Sequence, residues 1–167
     1  VNMGVVGSLK LRSKPLSLLP VYNSNDKTMA FFVGMEGGHI ATVSPTNPSG
    51  IQYLDFSTQG SAGSITQIRV ANSLEKGKEM LFFSSTGHVF SLDGALNKKT
   101  LRFTTVSSSS IEDVLIWRIG KGYLAIILYK DGKITAFNEE EVEKTFPEAE
   151  SLPATCKMIL ASDFDSS

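Results

Sequence analysis

One hairpin is written three times in this chain, and nothing else in it restricts the fold as strongly. Aligned on a single glycine, the copies occupy residues 32–43, 81–92 and 126–137. Each is an apolar run, a short polar turn closing on Gly38, Gly87 or Gly132, and a second strand with apolar residues two and five places beyond the glycine: Ile40 and Val43, Val89 and Leu92, Ile134 and Phe137. A turn such as Asp131-Gly132 needs a residue at positive φ, which glycine occupies without a Cβ penalty, while β-branched and aromatic neighbours favour the pleated state on either side. The three glycines are therefore structural turn residues. No Lys-Ser or Lys-Thr follows any of them and none opens a helical stretch, so a phosphate-binding loop is not indicated.

The glycines recur at intervals of 49 and 45 residues, a period at which repeats build propeller blades or solenoid units. Measuring outward from each glycine finds further strands: residues 16–21, 65–70 and 111–116 upstream, and residues 51–56 and 100–105 downstream. Each unit so reads as four short antiparallel strands, the blade of a β-propeller. The third unit continues after Phe137 into an acidic loop and a weak outer strand, or a turn of helix, over residues 138–146. The expected fold is all-β: a partial β-propeller of about three four-stranded blades, with flanking strands of further blades. Residues 1–12 are expected to hold the last strand of a preceding blade, 13–63, 64–110 and 111–153 a blade each, and 154–167 the first strand of a following one. Closed propellers have four to eight blades, so three would leave two open faces to be covered, by remaining blades of the same protein or by a partner chain.

Composition fits a β domain with a packed core: 41% of residues are hydrophobic, 20% are charged, and the formal net charge is -1. That balance creates no global field for nucleic acid or anionic lipid. No apolar run approaches the roughly 18 residues of a membrane span. The single cysteine, Cys156, cannot form an internal disulfide and sits in an apolar stretch as a buried strand residue; its isolation favours a reducing, cytoplasmic setting, peripheral to membranes at most.

No constellation for catalysis, cofactor or metal emerges. His39 and His88 each follow a turn glycine, on corresponding corners of successive units, and read as turn residues. Asp113, Asp131, Asp163 and Asp165 fall at or near turns, where aspartate serves the backbone. The chain is accordingly expected not to be an enzyme. Candidate partner-binding residues are Glu139, Glu140, Glu141 and Glu143, an acidic run suited to a basic partner segment. The hydroxyl-rich segment 104–110 is a linker and a plausible phosphorylation target, and Trp117, the one tryptophan, is expected to pack in the core.

Two resemblances refine the expectation. The segments Thr86-Gly87-His88-Val89-Phe90-Ser91-Leu92-Asp93 and Asp131-Gly132-Lys133-Ile134-Thr135-Ala136-Phe137-Asn138 are similar to the Asp-Gly-x-Ile-x-x-Trp-Asp segment of WD40 blades, with Leu92-Asp93 and Phe137-Asn138 in place of Trp-Asp. Residues 122–137, followed by an acidic stretch, Ser151-Leu152-Pro153 and then Asp163-Phe164-Asp165-Ser166-Ser167, resemble late blades of the lethal giant larvae and tomosyn family. That likeness implies a cytoplasmic, non-catalytic scaffold regulating exocytosis and polarity through SNARE proteins and Rab-type GTPases. The competing expectations are a propeller subunit of another assembly, such as a coat, nuclear pore or ubiquitin-ligase adaptor, and a fragment of a propeller enzyme or lectin.

Overall fold

A computed structural model describes residues 8–23, 28–44, 47–56, 63–74, 77–93, 99–105, 109–138 and 143–145. The strands are β1 (Pro15–Asn23), β2 (Thr28–Met35), β3 (His39–Ser44), β4 (Asn47–Asp55), β5 (Ile65–Ser73), β6 (Gly77–Ser84), β7 (His88–Asp93), β8 (Lys99–Thr104), β9 (Ile111–Ile119), β10 (Gly122–Tyr129), β11 (Ile134–Asn138) and β12 (Glu143–Thr145). They form three separate four-stranded sheets, β1-β2-β3-β4, β5-β6-β7-β8 and β9-β10-β11-β12, each following chain order. Hairpin connections between sequential neighbours make the pairings of the described strands antiparallel. The weak outer strand of the third unit is β12, three residues long. Of residues 1–12, where a preceding blade's last strand is expected, 8–12 lie in no strand and 1–7 lie outside the described residues, as do 154–167, where the following strand is expected, and Cys156 with them.

The chain divides into two compact units, residues 1–68 with 82–86, and residues 69–81 with 87–167. In the first, strand pairing assigns each side chain to a face, because residues directly opposite one another point the same way. Leu19 lies opposite Phe32, Phe32 opposite Thr42, and Gly34 opposite Ile40. This face is covered: Phe32 meets Phe82 edge-on with centroids 6.1 Å apart, Phe56 meets Phe82 at 5.6 Å, and Ile65 and Ile68 are buried beside them. Aromatic edge contacts of this kind contribute about 0.5–1.5 kcal/mol each beyond their buried area.

The other face of β1-β4 holds Val33, Met35, Ala41 and Val43, against which Leu11, Ile51 and Tyr53 pack. The Arg12 guanidinium stacks 4.0 Å above the Tyr53 ring, a cation–π contact. Residues 10–14 thus lie along one end of that face. Toward the other end, Leu18 and Tyr22 of β1 are 63% and 55% exposed.

In the second unit, Val114, Tyr123, Ala125, Ile127, Thr135 and Phe137 share one face of the third sheet and are buried. Three ties join it to residues 69–81. Arg69 donates from Nε to the Val114 carbonyl at 2.9 Å and from Nη2 to Asp113 Oδ1 at 3.0 Å. The Tyr123 hydroxyl donates to Glu79 Oε1, and the Leu74 amide donates to the Lys121 carbonyl at 2.8 Å. Asp113 is therefore a strand residue in β9, its carboxylate also accepting the Val114 amide at 2.9 Å, and its expected turn role is corrected. Trp117 is likewise corrected. It points to the opposite face and is 47% exposed, because a bulge between Leu128 and Tyr129 resets which residues of β9 face inward.

Candidate interaction surface

Each sheet repeats one backbone corner. The amide two residues before the turn glycine donates to the carbonyl of the residue just ahead of the sheet's first strand: Glu36 to Lys14 at 3.0 Å, Ser85 to Ser64 at 2.8 Å, Lys130 to Ser110 at 2.9 Å. A second bond anchors the end of the outer strand to the glycine carbonyl, from the Phe56 amide to Gly38 at 3.3 Å and from the Thr105 amide to Gly87 at 2.8 Å. Serine side chains add a third link, Ser13 Oγ to the Glu36 carbonyl at 3.1 Å, the Ser64 amide to Ser85 Oγ at 3.0 Å and the Asp131 amide to Ser109 Oγ at 3.2 Å. A loop whose amides and carbonyls are satisfied in this way is held in place, as binding loops on rigid scaffolds are.

The turn glycines have φ of +80° at Gly38, +82° at Gly87 and +85° at Gly132. At Gly87 there is also no room for a side chain, since a Cβ would lie 2.5 Å from Thr105 Oγ1. That hydroxyl is buried without a hydrogen-bond partner. The first turn is a 3-10 turn, Glu36–Gly38, in which Gly37 as well as Gly38 has positive φ. The third is tightened by Asp131 Oδ1, which accepts the Lys133 amide at 3.0 Å.

On this common backbone the exposed chemistry differs from corner to corner. The first presents Glu36 in a loose 3.9 Å pair with Lys14, both largely exposed. The second presents the hydroxyls of Ser85 and Thr86, and the third the opposite charges of Lys130 and Asp131. His39 and His88 each begin the third strand of their sheet, half-buried, with the His88 ring stacked on Phe90 at 6.1 Å. Among the described residues no three His, Cys, Asp or Glu side chains group as a metal site would require. Glu139, Glu140 and Glu141 lie outside the described residues, and of Glu143 only the backbone in β12 is described.

Arg69, Glu79, Asp113 and Tyr123 were not singled out as a group by sequence reasoning. The signal was one letter, an arginine in the middle of an otherwise uncharged strand, and its partners lie 44 and 45 residues away.

No family model and no curated protein matches the chain. Solved structures do. BBS1N crystallised in complex with ARL6DN matches with a TM-score of 0.54 and 12% identity over 76% of this chain and 36% of that one in a mercury-soaked crystal. A lead-soaked crystal of the same complex matches with a TM-score of 0.54 and 11% identity over 86% and 43%. The β-propeller domain of Myceliophteria thermophila Cps50 (Swd1) aligns with a TM-score of 0.49 and 16% identity, over 78% of this chain and 41% of that one. The chain thus spans less than half the length of these structures, and what it shares with BBS1N is the fold. Three separate four-stranded antiparallel sheets with this likeness constitute a partial β-propeller.

Proposed function

We propose that the chain is a non-catalytic platform for protein partners, acting in vesicle trafficking at the cytoplasmic side of membranes through SNARE proteins and Rab-type GTPases. The observation that carries the platform reading is the repeated corner: one backbone geometry, fixed by the same amide-to-carbonyl bond in all three sheets, presenting different side chains each time. Rigid backbones with variable tips suit recognition, because little conformational entropy is lost when a partner binds. BBS1N, which shares the fold, is found in complex with ARL6DN, so a fold of this kind does present a surface to another protein. The trafficking assignment rests on the likeness of residues 122–137 and the segments after them to the lethal giant larvae and tomosyn family.

The test is direct binding of the immobilised chain to a soluble plasma-membrane SNARE bundle and to a Rab-type GTPase in its triphosphate form. Micromolar or tighter binding that weakens at least fivefold in a Lys130→Glu, Asp131→Lys variant supports the reading. Binding that ignores the corners but is lost on charge reversal of Glu139, Glu140 and Glu141 assigns recognition to the acidic run instead. Absence of binding to either protein refutes the trafficking assignment.

A further inference from the structure

The third sheet is covered on one face and only partly covered on the other, and this second face is largely apolar. Trp117 lies opposite Leu124, Leu115 opposite Ile126, and Ile119 opposite Gly122, while Leu128 pairs with Ile134. All of these point away from the face that holds Tyr123, Ala125 and Ile127. Trp117 and Ile119 are 47% and 51% exposed, and Leu115, Leu124, Ile126 and Ile134 are only half-buried, whereas Leu128 and Ala136, on the same face nearer the corner, are buried. The corresponding face of the first sheet is not left this way. Phe32, which occupies the place of Ile126, is buried against Phe82, and Ile40, in the place of Ile134, is fully buried. A sheet of this design is built to have a neighbour there.

The same chain carries a second bare apolar face of the complementary kind, on the first sheet. Leu18 and Pro20 of β1 pair with Val33 and Phe31, and Tyr22 follows them, on the side away from Phe82; Val33 there is buried. Among the described residues, Leu18 and Tyr22 are the most exposed large apolar residues of that sheet. On both faces the bare side chains fall on the first strand and toward the end away from the repeated corner. The registers match: Trp117 stands opposite a residue eight places before Gly132, as Val21, beside Tyr22, stands opposite one eight places before Gly38.

From this pairing of surfaces we propose that a second copy of the chain docks on the open face of the third sheet, setting its own β1 face, with Leu18 and Tyr22, against Trp117 and Ile119. The contact is head-to-tail and heterologous, the class that closes into rings when the rotation permits. Two copies bring six sheets together, within the four to eight of closed propellers. Trp117 has the character of an interface anchor, a large aromatic ringed by aliphatic residues.

The experiment is sedimentation velocity and light scattering on the 167-residue chain across a hundredfold range of concentration. The expected result is reversible association above the 18.1 kDa monomer, with the dissociation constant raised at least tenfold by Trp117→Glu and, separately, by Tyr22→Glu, the two variants keeping wild-type circular dichroism. A mixture of the two variants should associate although neither does alone, because the intact β1 face of one meets the intact Trp117 face of the other, and each should likewise recover association with wild type. Should Trp117→Glu misfold, Ile119→Arg and Trp117 fluorescence, blue-shifted on association, give the same reading. A chain that remains monomeric throughout, or associates with a constant unchanged by both substitutions, overturns the proposal. So does a monomer whose Trp117 becomes buried only when a fourth sheet follows in the same polypeptide, which would give the face to a neighbouring blade in cis.

Discussion

Gly34 is the position where a single methyl group should do the most damage for a reason that can be worked from distances. Its backbone φ is ordinary, so conformational strain is not the issue. A Cβ there would lie 2.3 Å from Ser17 Oγ, 2.6 Å from Ile65 Cγ2 and 2.8 Å from the Ile65 carbonyl oxygen. The serine hydroxyl can rotate aside, but then its 3.1 Å bond to the Ile65 carbonyl is lost. The carbonyl belongs to β5 and moves only if the strand moves. Overpacking of this sort costs about 1–3 kcal/mol, and the lost hydrogen bond about 1 kcal/mol more. The smaller unfolded-state entropy of alanine returns about 0.4–1 kcal/mol. Gly34→Ala should therefore destabilise the first unit by about 1–3.5 kcal/mol, read as a lower urea midpoint with unchanged slope. Adding Ser17→Ala removes the closest contact but not the carbonyl, so the double variant should recover less than half. A Gly34→Ala chain within about 0.5 kcal/mol of wild type, the range of an ordinary surface change, would refute the close approach of β5 to β2.

Gly77 and Gly87 separate strain from crowding. Both have positive φ, +76° and +82°, but a Cβ at Gly77 meets nothing within 4 Å. Gly77→Ala should cost about 1 kcal/mol and Gly87→Ala distinctly more, with Thr105→Ala restoring part of the difference; equal urea midpoints for the two single variants would contradict this. Thr105→Val replaces a buried, unpartnered hydroxyl by a methyl of the same shape and should raise stability by about 1 kcal/mol in the same assay. Gly132→Val, at φ +85°, should destabilise by about 1–3 kcal/mol. Arg69→Met removes two hydrogen bonds from a pair only 26% and 18% exposed and should cost about 1–3 kcal/mol. In a double-mutant cycle with Asp113→Asn, a coupling near zero would show that the two side chains act independently.

The strands were legible because their signals are local. Glycine at a positive-φ corner and β-branched or aromatic residues on both sides place β2-β3, β6-β7 and β10-β11, and the interval between corners places β1, β5 and β9. The expected strands at 16–21, 65–70 and 111–116 lie inside Pro15–Asn23, Ile65–Ser73 and Ile111–Ile119. What the letters could not supply is which way a given residue points, since a one-residue change of register turns every side chain of a strand to the other face. In β9 the irregularity that skips Glu112 does this, and so Trp117 comes to the surface and Asp113 to Arg69. The candidate surface was half legible. Turn positions follow from glycine, whereas the amide-to-carbonyl bonds that hold them join residues about 20 apart in sequence and leave no trace in composition.

Comparison of the second strands of the second and third sheets shows what the open face means. In β6 the residues Met80, Leu81, Phe82 and Phe83 are all buried, 1%, 0%, 0% and 0% exposed, as in a strand enclosed on both sides. In β10 the burial alternates from Gly122 to Ile127, although the residues Tyr123, Leu124, Ala125, Ile126 and Ile127 are as apolar as those of β6. A strand that faces water on one side is normally written with polar residues there, and near-continuous apolar runs belong to strands covered twice. Each further side chain of this size brought out of water contributes about 1.5–3 kcal/mol when fully buried. The sequence of β10 is therefore that of an interior strand placed at a boundary, and whatever closes over Leu124, Ile126 and Trp117 is part of the environment for which these residues are suited. Hydrogen exchange would register it. Amides of β9 and β10 should exchange measurably more slowly at concentrations where the chain associates, while those of β6 should not change, and equal protection of both strands at all concentrations would mean that the face is content in water.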